Sequence, residues 1–386
     1  MQRLPIGILG ATGMVGQRFI QLLAHHPFFE IAWLAASDRS TGKRYTDAVR
    51  WRLDTPLPTH VAAMTLSPAT EPSTIAAAPK LLFAALDTDV ARDLEPRFTA
   101  AGCAVLSNSA AFRMHEDVPL VIPEVNPDHL ALLEQQPSRR SSGGYLVTNP
   151  NCSAMGLVVA LKPLADRFGI EALFVSTMQA VSGAGYPGVA SLDILGNVVP
   201  YIRNEEEKMP AETARLLGTL EDHGAIDGHP QLRVRPSGLR MSAHCHRVAV
   251  EDGHTEAVSI KLLTPASHEE ILAAWADFHP LAAPIAAGSL PSAPHQPVEY
   301  LEEEDRPQPR LDRMRGAGMS STVGRLRRCA LLDWKFTLLS HNTIRGAAGA
   351  AILNAEYLLS LGKLGDQPRP AAQHADARQP APVSGG

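Results

Sequence analysis

Cys152, in the run Asn149-Pro150-Asn151-Cys152-Ser153, has the most informative surroundings of any reactive side chain in this sequence. Before it, Tyr145–Thr148 reads as a short buried strand. After it, Met155, Val158, Val159, Leu161 and Leu164 recur at a spacing that fits one face of a helix. Pro150 and the two asparagines mark the turn between them. A thiol at such a point meets the unpaired N–H groups and dipole of a helix start, which favour negative charge and predict a lowered thiol pKa. Most cysteines are small buried hydrophobes; the turn on one side and the helical face on the other favour a nucleophile here. A nucleophile needs a base and a group that holds the substrate. Gly253-His254 follows a short turn, and Thr255–Leu263 then reads as a strand, so His254 is expected to project from a sheet edge. Arg247, earlier on the same strand–turn–strand unit, brings a carboxylate clamp beside that proton shuttle.

These residues need a scaffold, and the first half of the chain describes one. Ile6–Leu9 is a buried strand that feeds Gly10-Ala11-Thr12-Gly13-Met14-Val15-Gly16, followed by a helix with apolar Val15, Phe19, Leu22 and Leu23. Further strands are expected at Ile31–Ala36, Leu81–Leu86 and Ala104–Ser107, separated by helix-length segments. This alternation predicts an α/β fold, a parallel sheet with helices on both faces. The glycines form a G-x-x-G-x-x-G version of the dinucleotide fingerprint, in which a tight turn delivers the pyrophosphate to a helix N-terminus. The second strand ends at Ser37-Asp38-Arg39-Ser40-Thr41-Gly42-Lys43, where the adenosine ribose would lie. Asp38 alone suits a free 2′-hydroxyl; Arg39, Lys43 and the two serines suit a 2′-phosphate, and the balance favours NADP.

Beyond Cys152 the pattern changes. Phe174–Gln179, His246–Val250 and Glu256–Leu263 look like strands of a second sheet, and helices or loops fill Leu192–Leu217 and Ser267–Phe278. Pro280–Pro309, rich in proline and acid, is expected to wrap the surface or a partner subunit. Ile344–Leu359 reads as a helix. Asp366–Gly386 lacks periodicity and is expected to be disordered.

Composition narrows the function. The 386 residues suffice for two domains, and 45% hydrophobic with 19% charged residues is ordinary globular usage. A net charge of −5 gives no polyanion surface, so no nucleic-acid partner is expected. The densest basic knot, Arg325-Leu326-Arg327-Arg328, is adequately a solvated patch. No signal peptide is evident before the first strand and no apolar run spans a bilayer, so no membrane partner is expected. The four cysteines have no metal spacing, which predicts free thiols, a cytoplasmic setting and no metal site.

Taken together, Gly10–Gly16, Ser37–Lys43, Ser107-Asn108-Ser109 with Arg113, Asn149–Ser153, Gln179 with Ser182-Gly183, Glu205–Lys208, Arg247 with Gly253-His254, and Asn342–Gly349 resemble, in that order, the aspartate-semialdehyde dehydrogenases. The similarity is greatest to the archaeal and fungal-type branch and runs from about residue 3 to 360. It implies an N-terminal Rossmann domain (1–150, completed by a helix over 343–362). It also implies an α+β substrate and dimerisation domain (151–342) like that of glyceraldehyde-3-phosphate dehydrogenase. The implied reaction interconverts L-4-aspartyl phosphate and NADPH with L-aspartate 4-semialdehyde, phosphate and NADP⁺, in lysine, threonine and methionine biosynthesis. The implied assembly is a homodimer or homotetramer.

Carried over by position, the resemblance makes Cys152 the nucleophile, His254 the acid/base, Gln179 the residue that orients the acyl group and Asn151 a support for the thioester oxygen. Arg247 would hold the substrate α-carboxylate and Glu205 its ammonium, with Lys208 and Arg113 on phosphate. Gly10, Thr12, Gly13, Met14, Val15, Ser37, Arg39, Ser40, Lys43, Ala85, Leu86, Ser182, Gly183 and Asn342 would belong to the cofactor site. Some positions depart from the family pattern: Leu86-Asp87-Thr88-Asp89 replaces Leu-Pro-Ser-Asp, and Ala249 stands where proline is commoner. Rival readings are another acyl-CoA or acyl-phosphate reductase on the same scaffold, malonyl-CoA reductase-like, or a non-catalytic NADP-binding protein. Glu205 argues against the first, because those substrates offer no ammonium to a buried carboxylate. Cys152 and His254 argue against the second.

Overall fold

The structure, a computed structural model, describes residues 3–226, 229–280, 282–286 and 288–364, so the expected tail lies outside the described residues. Six strands form a wholly parallel sheet: β1 (Leu4–Leu9), β2 (Phe29–Ala36), β3 (Ser67–Pro68), β4 (Leu81–Ala84), β5 (Ala104–Ser107) and β6 (Tyr145–Thr148). Their spatial order is β3-β2-β1-β4-β5-β6. In β1, Ile6 and Ile8 pack with Phe19, Phe83 and Leu353 on one face, while Leu9 joins Leu82, Phe98 and Val105 on the other. Strands covered on both faces read as unbroken apolar runs, which is why these were legible from sequence. The order reverses between β1 and β4, and such sheets bind ligands beyond the strand C-termini at that switch point. Helix α1 (Met14–Leu23) leaves the glycine loop there, and α2 (Thr88–Ala100) follows β4.

A second, mixed sheet has the order β10-β7-β11-β14-β13-β12. It is built from β7 (Ile170–Gln179), β10 (Arg240–Arg247), β11 (His254–Leu262), β12 (Val298–Leu301), β13 (Ser321–Arg328) and β14 (Trp334–Ser340). Strands β8 (Thr219–Ile226) and β9 (His229–Arg235) pair apart as a hairpin. One face of the mixed sheet packs Val175, Val258, Phe336 and Leu338 on helix α3 (Cys152–Phe168) and Trp275. The other face is open, with Phe174 exposed. Helix α4 (Glu205–Leu216) lies beside β10, and α5 (Gly349–Ser360) returns to the core of the first sheet through Ile352, Leu353 and Leu358. No described helix is long and apolar enough to cross a membrane.

Several expectations are corrected. The strand expected at His246–Val250 ends at Arg247, because the chain must turn through Gly253 (φ 102°) to start β11. His254 is at the end of a central strand, between β7 and β14, and not at a sheet edge. Helix α3 is buried all round from Ser153 to Leu161, not on one face, because it runs through the middle of the molecule. Part of the wrap expected at Pro280–Pro309 is the edge strand β12. The helix expected at Ile344–Leu359 begins as a π-turn, Ile344–Ala348, before α5. Strands β12 to β14 and the β8–β9 hairpin were not foreseen. In β13 the register shifts between Gly324 and Arg327, and Arg325 takes a positive φ (58°), a bulge that breaks the alternation.

One buried group strains this core. Glu256 on β11 is fully buried, and neither carboxyl oxygen has a hydrogen-bond partner among the described residues. Burial pushes its pKa well above the ordinary glutamate value, so it is held neutral. A folded pKa raised above the unfolded one gives stability that is complete at low pH and lost as pH rises. Above the unfolded value the loss runs at up to about 1.4 kcal/mol per pH unit until the folded carboxyl also ionises. Glu256→Gln removes this cost, so its thermal midpoint relative to wild type should climb between mildly acidic and mildly alkaline buffer. A constant difference across that range would show that Glu256 is not the titrating group.

Candidate active site

The site forms where the parallel sheet, α3, α4 and the mixed sheet meet. Chain direction sets its first element: β6 ends at Thr148, Asn149 N–H donates to Ser107 O at 2.8 Å, and α3 starts at Cys152. Asn151 caps that helix, its Oδ1 accepting from Ser153 N–H at 2.8 Å and Ala154 N–H at 3.2 Å. Its Nδ2 donates to Glu205 Oε2 at 2.5 Å. The Asn151 side chain therefore positions the helix start, and the second hydrogen of its Nδ2 has no partner among the described residues.

Cys152 Sγ lies 3.2 Å from His254 Nε2. The other ring nitrogen, Nδ1, accepts the backbone N–H of Ala180 at 3.1 Å. A backbone N–H can only donate, so the neutral ring carries its proton on Nε2, directed at the sulfur. The charge balance differs from the sequence expectation. Burial pushes the Cys152 thiol up to about 12, reinforced by the charge on Glu205 and only partly offset by Arg247 and Arg113. In the substrate-free protein desolvation thus outweighs the helix start. Burial lowers His254 to about 3, with the nearby Arg247 and His341 adding to the shift. The resting pair is neutral thiol and neutral imidazole.

Around that pair the structure gathers most of the residues singled out above. Gln179, the last residue of β7, donates from Nε2 to Thr177 Oγ1 at 3.3 Å and to Glu205 Oε2 at 3.5 Å. Arg247, ending β10, is buried and donates to Ala180 O at 2.8 Å. Lys208 reaches Glu205 at 3.7 Å from the same face of α4. Arg113 joins from the loop after β5, donating to Asn108 O at 2.7 Å and to Glu212 Oε1 at 3.0 Å. Ser182 and Gly183 form the turn after β7; a Cβ on Gly183 would stand 2.8 Å from Arg247 Nη1 and 3.0 Å from His254 Cε1. Asn342 ties this turn to the histidine, its Nδ2 donating to Ser182 Oγ and its Oδ1 accepting from Gly253 N–H, both at 2.8 Å.

The dinucleotide residues fit their group. At Gly10 (φ 76°) a Cβ would sit 2.3 Å from Ala85 O, and at Gly16 one would sit 2.3 Å from Gly10 O, so both positions require glycine. Gly13 caps α1 with no side-chain hydrogen bond and is exposed, which leaves the helix start bare for a pyrophosphate. Thr12, Met14 and Val15 border it, with Ala85 and Leu86 at the end of β4 opposite. Ser37, Arg39, Ser40 and Lys43 lie on the outer turn after β2, and the two cations form no ion pair among the described residues. Among the described residues no cluster could hold a metal ion.

Sequence reasoning missed three contributors. Glu212 accepts from Asn151 N–H at 2.5 Å as well as from Arg113. Its signal was its place two turns after Glu205 on one helix face. Ala180 acts through its backbone and has no sequence signal. Gly346 in the π-turn packs on Cys152, and a Cβ there would stand 2.7 Å from Cys152 Cβ. Its neighbour Arg345 is pinned by a fully buried ion pair with Glu124, at 2.5 Å. Gly346→Ala therefore cannot be absorbed without moving Cys152. It should cost about 1–3 kcal/mol of stability and slow both turnover and thiol alkylation while dinucleotide binding is kept; unchanged alkylation would refute the contact.

Comparison with known proteins agrees with this geometry. Two sequence families match: Semialdehyde dehydrogenase, NAD binding domain, over residues 5–133, and Semialdehyde dehydrogenase, dimerisation domain, over 161–345. The aspartate-semialdehyde dehydrogenase of Methanothermobacter thermautotrophicus is 51% identical over 355 residues, 92% of this chain and 98% of its own length. That of Saccharomyces cerevisiae is 45% identical over 363 residues, 92% and 97%. The crystal structure of the Candida albicans enzyme with NADP superposes with a TM-score of 0.82 at 42% identity, covering 94% of this chain and 100% of that one. Shared along nearly the whole length of archaeal and fungal relatives, this sequence and fold place the chain in the aspartate-semialdehyde dehydrogenase family.

Proposed function

We propose that the protein catalyses the reversible, NADP-dependent reductive dephosphorylation of L-4-aspartyl phosphate to L-aspartate 4-semialdehyde through a thioester on Cys152. The observation that carries this is the 3.2 Å Sγ–Nε2 contact at the head of α3, with two buried arginines and Glu205 arranged round it. Arg247 offers a planar guanidinium to the substrate α-carboxylate, Glu205 a carboxylate to its ammonium, and Arg113 with Lys208 two cations to phosphate.

Binding itself then changes the thiol. Glu205 is one of the groups that hold the Cys152 pKa up, so an ammonium bound to it offsets that contribution and lowers the cost of ionising the thiol, whose proton passes to solvent water. His254 Nε2–H, held towards the sulfur by the Ala180 contact, donates to the thiolate as it forms. It is equally placed to give its proton to the oxyanion that develops on the acyl carbon. Gln179 orients the acyl group, a role its contact with Glu205 supports. The dinucleotide, when bound, accepts or returns the hydride at that carbon. Arg39 and Lys43 support a 2′-phosphate and hence NADP over NAD.

The open face of the mixed sheet, with Phe174 40% exposed, and the apolar strap carrying Leu192 (91%), Leu195 (67%) and Tyr201 (51%) support a homodimer or a homotetramer. Four free cysteines support a cytoplasmic setting. We assign residues 1–150 with 343–362 to the dinucleotide domain and 151–342 to the substrate domain.

Purified protein given L-aspartate 4-semialdehyde, phosphate and NADP⁺ should produce NADPH, more slowly with NAD⁺. Cys152→Ala should abolish turnover and keep NADP⁺ binding. Turnover with a CoA thioester but none with the semialdehyde would overturn the assignment. In the substrate-free protein, alkylation of Cys152 by iodoacetamide should rise roughly tenfold per pH unit from neutrality upward, following the thiolate fraction. A plateau near neutral pH would mean that the resting thiol is already ionised.

A further inference from the structure

Glu212 lies on α4 with Glu205 and Lys208, the three spaced i, i+3 and i+7 so that they share one face. It is 2% exposed and makes two contacts that no other residue duplicates. Oε1 accepts from Arg113 Nη1 at 3.0 Å, and Oε2 accepts from the backbone N–H of Asn151, the residue before the nucleophile, at 2.5 Å. Arg113 spends one N–H of Nη2 on Asn108 O, while its Nε is buried without a partner.

We propose that Glu212 is a positioning residue that aims the Arg113 guanidinium at the phosphate and locks it in register with the Cys152 turn. This rests on the phosphate role given to Arg113 above.

The argument starts from how an arginine and a carboxylate normally pair. Their usual geometry is bidentate, with both oxygens satisfied along one guanidinium edge. Here one oxygen is diverted to a backbone N–H, so the pair is held by a single bond and the guanidinium keeps unspent donors. A buried Nε–H without a partner is costly unless something else accepts from it, and an anion with several oxygens does so. Glu212 thus neutralises and orients the cation without saturating it. The second contact carries the other half of the function. Because the same carboxylate holds the N–H of Asn151, the phosphate-binding group and the nucleophile turn cannot shift independently. An acyl phosphate spans these two points: its phosphoryl group leaves as its carbonyl carbon bonds to sulfur.

The test is a double-mutant cycle read in phosphate kinetics, with semialdehyde, phosphate and NADP⁺ as substrates. Arg113→Ala should raise the KM for phosphate. Glu212→Gln, which cannot accept from both partners without turning an N–H towards one of them, should raise it tenfold or more, with the KM values for semialdehyde and NADP⁺ within twofold of wild type. In the double variant the phosphate KM should match that of Arg113→Ala alone. Glu212→Asp keeps the charge but draws it back by one methylene. It should raise the phosphate KM at an unchanged thermal midpoint, and it serves if the glutamine variant does not fold. Effects that multiply in the double variant, or a fall in kcat with phosphate KM unchanged, would overturn the role of Glu212 and leave that of Arg113 standing. An unchanged phosphate KM in Arg113→Ala would sink both.

Discussion

Asn151 is held from two directions by two carboxylates on one helix. Glu205 takes its side-chain amide and Glu212 its backbone N–H, each at 2.5 Å, while the remaining side-chain oxygen caps α3. Everything reactive in the site is referred to this point, because Cys152 is the next residue. From the opposite side the bare Cα of Gly346 closes on Cys152, anchored by the buried Glu124–Arg345 pair. Breaking such a pair by losing one partner typically costs about 3–5 kcal/mol. Cys152 is thus clamped between two structural layers.

That rigidity has an electrostatic counterpart. A site dry enough to protect a thioester also makes a thiolate expensive, and burial lifts the thiol to about 12. The Ala180 N–H contact makes a doubly protonated imidazole unfavourable as well, since its Nδ1–H would face another donor. The protein therefore rests uncharged at its reactive centre. On the proposed reading, charges brought by the substrate shift that balance towards the thiolate.

Much of this was legible in the sequence, for reasons that differ by residue. Strands buried on both faces announce themselves as apolar runs, so β1, β4, β5 and β6 were found nearly at their true bounds. Cys152 was found because a turn and a helix start are both punctuated by residue type. His254 and Arg247 were found as a pair, but their setting in the middle of a sheet was not, because strand neighbours distant in sequence leave no local trace. The fall of the thiol pKa was expected from the local helix start and reversed by burial, which is a tertiary quantity. Glu212 had a signal in its spacing, yet a run of acids on a helix reads first as a solvated face. Ala180 contributes a backbone group and could not have been read at all.

The outer turn after β2 differs from the rest of the site in being wet. Arg39 and Lys43 are exposed and unpaired among the described residues, whereas the groups around Cys152 are enclosed. Mobile counterions attenuate exposed charges over roughly 8 Å at physiological ionic strength, but reach buried ones far less. With Arg39 and Lys43 on the 2′-phosphate, as proposed, added salt should therefore blur the distinction between phosphorylated and unphosphorylated dinucleotides while leaving recognition at the acyl carbon almost untouched. On that reading coenzyme choice is a property the chain shares with its solution, and the bond-making chemistry is insulated from it.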